Sequence, residues 1–148
     1  MSLKIIHLYL KKDPTLANYV NTVAESLKTD YEVQSTDCVS TFHALCQAMH
    51  PDVVHIHGNI SCKTPSYARV VLSPHGEQVK RQSYVTIARS EIEKKALSKY
   101  YTRIETIRNP LLTKTVSFSQ AINQLSMIYE KVMDSDVLPQ FDESTKTM

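Results

Sequence analysis

The sequence predicts an α/β domain, doubly wound, with about six strands in a mostly parallel sheet and helices on both faces. Three observations predict it. Strand-like and helix-like patterns alternate along the chain, as they do when each strand is followed by a helix that returns over the sheet. The two most strand-like runs, "DVVHIH" at 52–57 and "RVVLS" at 69–73, lack the strict in-out alternation of a half-exposed strand, so both faces should be covered. Finally, the only two glycines in the chain, Gly58 and Gly76, each follow a histidine at the end of one of those runs.

Each element has its own local reason. "LKIIHLYL" (3–10) is a compact apolar run rich in β-branched and aromatic residues. Asp13 then suits a helix N-cap and Pro14 the first helical position, and Leu16, Tyr19, Val20, Val23 and Leu27 form one apolar stripe over about four turns. "YEVQST" (31–36) is a short strand, and 40–50 is a helix with Phe42, Leu45 and Met49 inward until Pro51 stops it. Only residues 59–69 lie between the third and fourth strands, close to the minimum of about a dozen for a parallel crossover, so the helix there should be short or missing. "SYVTIA" (83–88) is the fifth strand. It leads into a helix over 90–101, where Ser90 and Glu93 have capping-box spacing and Ile92, Ala96 and Tyr100 should face inward. "RIETI" (103–107) closes the sheet at an Asn109-Pro110 turn. A last helix, capped by Ser117 with Gln120 three positions on, carries Phe118, Ile122, Leu125, Tyr129 and Val132 inward until Asp134. One domain is expected over residues 1–134, followed by a polar tail without period at 135–148 that should be disordered.

Composition narrows the class without naming a partner. With 42% apolar residues, 22% charged residues and a net charge of +2, the chain is an ordinary globular one rather than a disordered or nucleic-acid-seeking one. Lys80-Arg81 and Lys94-Lys95 have no interleaved aromatics and read as solvated faces, so no nucleic acid is expected. Cys38, Cys46 and Cys62 are odd in number and form no Cys-x-x-Cys pair, which fits free thiols in the cytoplasm. The apolar run in "MSLKIIHLYLKK" is too short for a signal peptide and no run nears the roughly 18 apolar residues of a membrane span, so any membrane contact is expected to be peripheral.

The two His-Gly pairs are the candidate site. In open parallel sheets ligands bind beyond the carboxyl ends of the strands, where backbone amides point outward. Glycine there permits positive φ or close approach to a ligand, and an adjacent imidazole can donate, accept or carry charge. Average usage would give this chain about ten glycines, so the restriction to two positions suggests a demand there. The plainer alternative is that each glycine only turns the chain and each histidine is a partly exposed loop residue.

"PDVVHIHG" (51–58), "VVLSPHG" (70–76), "VTIARSEIEKKAL" (85–97) and "RIETIRNP" (103–110) resemble, in order, the N-terminal domain of family-4-type glycosyltransferases. Those enzymes have two Rossmann-like domains facing across a cleft, the GT-B fold, and the resemblance covers about residues 3–134. It implies a Rossmann-like acceptor-side half of an enzyme that moves a sugar from a nucleotide-sugar co-substrate to a glycan or lipid-linked acceptor. His75 and Gly76 match the position where a histidine contacts the transferred sugar, and His57, Gly58 and Asn59 match the neighbouring loop that lines the acceptor side. Family-4 enzymes usually retain anomeric configuration, so the resemblance gives His75 the catalytic role of orienting the sugar and stabilising charge rather than acting as a dedicated base. Ser90 and Glu91 match a helix start whose role is structural.

The departures are equally specific. The first loop, "LKKDPT", lacks the glycines that let amides approach donor phosphates, and Lys11 and Lys12 read more simply as a solvated edge. No pair of glutamates has the eight-residue spacing of the family's donor domain, and "EQVKRQ" (77–82) is short where the family inserts acceptor-binding material. The expectation is therefore half an enzyme, inactive without a donor domain that a separate chain could supply, or else a non-catalytic carbohydrate-binding or partner-binding module.

Other chemistries fit less well. His55 and His57 share a strand face and could bind zinc with His75 or Cys62, but no Asp or Glu stands at ligand spacing, and neither metal nor resident cofactor is expected. The dinucleotide fingerprint is missing after the first strand. Ser73 and Cys62 lack a nucleophile elbow. His7, His43 and His50 read as structural, and Phe118 and Tyr129 as core.

Overall fold

The computed structural model describes residues 3–10, 14–108 and 117–134. Six strands, β1 (Lys4–Leu8), β2 (Glu32–Thr36), β3 (Val53–His57), β4 (Arg69–Ser73), β5 (Val85–Ala88) and β6 (Ile104–Thr106), form one sheet in the order β2-β1-β3-β4-β5-β6, and every pairing is parallel. The helices are α1 (Pro14–Leu27), α2 (Val39–Met49), α3 (Glu91–Leu97) and α4 (Phe118–Met133). This is the Rossmann-like doubly wound arrangement, with the chain winding outward in both directions from β1 and β3. Among the described residues no helix joins β3 to β4, one of the two outcomes that the short connection allows. Asp13, the Asn109-Pro110 turn, Lys11, Lys12 and the 135–148 tail lie outside the described residues.

Strand alternation splits the core into two layers. Ile5, Val53 and Val71 face α1 and α4, which contribute Tyr19, Val20, Val23, Leu27, Leu125, Tyr129 and Val132. Their neighbours in sequence, Ile6, Val54 and Leu72, face Phe42 and Cys46 of α2 together with Tyr101. All of β3 is buried, which explains its unbroken run: a strand with helices on both faces has no solvent side on which to place polar residues. Its two histidines are the exception.

Helix ends follow their capping chemistry. Ser117 and Gln120 form a complete capping box at the start of α4. His50 ends α2 in the left-handed conformation, φ 50°, immediately before Pro51. The third helix corrects the sequence reading. It is shorter than expected, Ile92 is 85% exposed and Ala96 is also exposed, while Glu93, Leu97 and Tyr100 turn toward the sheet. The cause lies at Glu93, whose carboxylate is drawn inward to accept from the backbone amides of Arg89 at 2.7 Å and Gly76 at 2.6 Å. Two charge-assisted bonds to otherwise orphaned amides outweigh the burial of one isoleucine.

Candidate functional site at the strand ends

Parallel register builds the site. His7 in β1 stands opposite His55 in β3, and His57 stands opposite Ser73 at the end of β4. The four side chains share the sheet face that α1 and α4 cover, because each is an even number of residues from Ile5, Val53 or Val71. Tyr129 of α4 points its hydroxyl down onto them.

The result is one continuous chain of polar groups under a hydrophobic roof. Ser73 Oγ lies 2.7 Å from His55 Nε2, and His55 Nδ1 lies 2.7 Å from the Tyr129 hydroxyl. That hydroxyl is 3.3 Å from His7 Nε2, His7 Nδ1 is 2.8 Å from His57 Nε2, and His57 Nδ1 is 2.9 Å from His75 Nε2. The rings stack as they connect, with centroids 4.0 Å apart for His55 and His57 and 5.2 Å for His57 and His75. His7, His55 and His57 are sealed from solvent, whereas His75 is half-buried.

Burial sets the charge state of this chain. Desolvation lowers the pKa of His7 to about 3 and holds His55 and His57 well below the usual histidine value, the neighbouring imidazoles adding to the effect on both. It also pushes the Tyr129 hydroxyl well above the usual phenol value. Three neutral imidazoles and a neutral phenol therefore fill the interior near neutral pH.

At the outer end, the two glycines are explained by backbone conformation. Gly58 has φ 86° and Gly76 φ 82°, both in the left-handed region, and His75 itself is at φ 52°. The turn at Gly58 brings its amide to the Ser73 carbonyl at 2.7 Å and ties the ends of β3 and β4 together. Outward amides at this rim meet carboxylates of the chain itself: Asn59 N–H donates to Glu77 at 2.9 Å, and Gly76 N–H to Glu93. Arg89 lies 3.5 Å from Glu93.

Among the described residues, the five expected at the site are divided between the interior and the rim. Asn59 and Gly76 are exposed at the rim and Gly58 is buried in its turn. His57 is 1% exposed and reaches the rim only through His75. The His75 ring packs edge-on against Tyr19 of α1, 5.9 Å between centroids, and does not line the groove of about 280 Å³ that Gly76, Glu77, Glu93, Leu97 and Tyr100 border. Cys62 belongs to the opposite core layer and contacts Arg81, away from the histidines.

His7, Ser73 and Tyr129 were missed as a functional group by sequence reasoning. The signal for Ser73 was its even spacing, two residues, from Val71 and from His75, and for His7 its place in the middle of an apolar strand. Ligand atoms of His7, His55 and His57 lie within 4.8 Å of one another, and three neutral imidazoles suit zinc by chemistry. Their geometry suits it less well. Two nitrogens on one tetrahedral zinc at 2.0–2.1 Å stand roughly 3.3 Å apart, whereas His7 Nδ1 and His57 Nε2 face each other at 2.8 Å and the His55 ring is stacked on His57 rather than converging with it.

Fold and site together define a Rossmann-like α/β domain with a buried histidine chain that surfaces at the carboxyl ends of its strands. Comparison with family models and with curated proteins returns no match.

Proposed function

We propose that the strand-end rim around His75, Gly76 and Asn59 binds a sugar or glycan, as the acceptor-side half of a GT-B-like glycosyltransferase. One observation carries this reading. The amides that would cradle a phosphate at this rim are already bonded to Glu77 and Glu93, which leaves the exposed Glu77 carboxylate and the His75 imidazole at the rim, groups that recognise hydroxyls. A groove of about 280 Å³ adjoins this rim at Gly76, with neither His75 nor Asn59 in its lining; it falls just below the usual range for ligand pockets of roughly 300–1,000 Å³ and has room for one sugar ring rather than a whole nucleotide sugar. The ordered resemblance of "VVLSPHG" and its neighbours supports the same assignment.

In this reading His75 orients the sugar, and the leaving nucleotide is held by positioned donors from a second domain, on the same polypeptide or on another chain. Transfer requires that domain. Three free thiols fit a cytoplasmic setting, and no helix among the described residues is long and apolar enough to cross a membrane.

A second reading, a carbohydrate-binding module without transferase chemistry, is favoured by the same occupied amides, since a rim that does not engage phosphate needs no nucleotide. A titration with nucleotide sugars, their free nucleotides and unactivated glycans, following the His75 imidazole signals by NMR, separates the two. Saturable shifts with a nucleotide sugar but not its nucleotide support the transferase half. Shifts with glycans alone support the binding module, and none at millimolar ligand rules out both.

A further inference from the structure

The chain from Ser73 to His75 has a property that no single pair in it possesses. A neutral imidazole donates from one nitrogen and accepts at the other, so each link fixes the tautomer of the next. If the buried Tyr129 proton must also have an acceptor, so that the hydroxyl cannot simply accept from both imidazoles, the five contacts can be satisfied together in only two ways. Either every histidine carries its proton on Nδ1 and the donors run outward from Ser73, or every histidine carries it on Nε2 and they run inward from His75. The Tyr129 hydroxyl transmits either direction, since it can donate to one imidazole while accepting from the other.

The inner end breaks the tie. In the outward arrangement the Ser73 hydroxyl donates to His55 Nε2 and its only proton is used. In the inward arrangement His55 Nε2–H donates to Ser73 Oγ, and the serine proton must find another acceptor. Ser73 is 4% exposed, and among the described residues its hydroxyl has His55 as its one partner. A buried donor with no acceptor is costly, whereas an unused lone pair on a hydroxyl is tolerated.

We infer that Ser73 is a positioning residue for the strand-end site: through Tyr129 and the histidine chain it holds His55, His7, His57 and His75 in the Nδ1–H tautomer. His75 Nε2 is then committed to accepting from His57, and its second nitrogen is an N–H donor rather than a base. A sugar that meets this nitrogen must offer it an oxygen lone pair, a consequence that rests on the reading proposed above. The tautomer assignment does not depend on that reading.

The test is a long-range proton–nitrogen correlation spectrum of histidine-labelled full chain without ligand, at mildly alkaline pH. Free histidine favours Nε2–H, and His43, whose Nε2 faces the Lys63 carbonyl at 3.2 Å, supplies an internal Nε2–H standard. The expected result is the Nδ1–H pattern at His7, His55, His57 and His75 together. A mixed set, or Nε2–H at all four, overturns the inference. So does a one-to-one zinc complex with coordination shifts at His7, His55 and His57, because the metal would take lone pairs that the chain spends on hydrogen bonds. Ser73→Ala should shift His75 away from pure Nδ1–H while Ser73→Thr, which keeps the hydroxyl, restores it; an unchanged His75 pattern in Ser73→Ala removes Ser73 from the role. Both measurements are made without sugar, so a failed sugar titration leaves this result standing, and the reverse also holds.

Discussion

Gly76 illustrates how one backbone angle decides a residue. A Cβ placed on it would lie 2.5 Å from Arg89 Nη2, but that is the far end of a flexible side chain and can swing away. The φ of 82° cannot be relieved so easily, and an L-residue in the left-handed region costs about 1–2 kcal/mol. A Cβ on Gly58 would meet only Glu77, at 3.4 Å or more, with the same φ problem. Gly58→Ala and Gly76→Ala should therefore destabilise by similar amounts, about 1–2 kcal/mol each in urea unfolding. A much larger loss at Gly76 would mean that Arg89 is held rigidly and the contact dominates. The demand for glycine at these positions was legible in the sequence, because two glycines in 148 residues both followed a strand-end histidine. The demand for a neutral, buried His57 was not, since His57 and His75 look alike in a linear reading.

Among the elements, α3 departs furthest from its amphipathic pattern. It has seven residues and none is buried, so packing of an apolar face contributes little to holding it in place. Its anchor is polar: Ser90 caps Glu93 N–H at 3.2 Å while the Glu93 carboxylate bridges Arg89 and Gly76. Glu93→Ala should cost about 2 kcal/mol, the scale of a lost hydrogen bond to a charged group, and should raise amide exchange at Gly76 and Arg89 specifically. Ile92→Ser, at a position 85% exposed, should stay within about 0.5 kcal/mol. Comparable losses at both positions would restore the inward-facing Ile92 that the periodicity of Ile92, Ala96 and Tyr100 suggests. For α1 and α4 that periodicity was a reliable guide, because their long apolar stripes bury enough surface to outweigh any single polar bond.

For the whole molecule, the buried histidines set the response to acid. His7 has a folded-state pKa of about 3 against 6.5 when unfolded, so the unfolded chain binds this proton first. Its contribution is fully present above pH 6.5 and is lost as the pH falls from 6.5 toward 3. His55 and His57 are lowered in the same direction. Three such protons give a slope near pH 5 of roughly 4 kcal/mol per pH unit, against a total stability of about 5–15 kcal/mol. Denaturant unfolding at a series of pH values should show that slope, with acid unfolding complete well above pH 3. A slope below about 1 kcal/mol per unit would mean that the interior admits charge or that the chain opens locally.

By itself the sequence determined the architecture: strand and helix signals in alternation, continuous apolar runs for covered strands, a connection after β3 with room for a short helix at most, and capping residues that fixed where α3 and α4 begin. Those are local properties, carried by neighbours along the chain. Only the tertiary structure decided the histidine chain. His7 meets Tyr129 across 122 residues and His57 across 50, and both meetings depend on the parallel register of β1 and β3 beneath α4. Register is settled by the joint burial of whole strands, so no stretch of sequence that contains one of these residues states where the others will be.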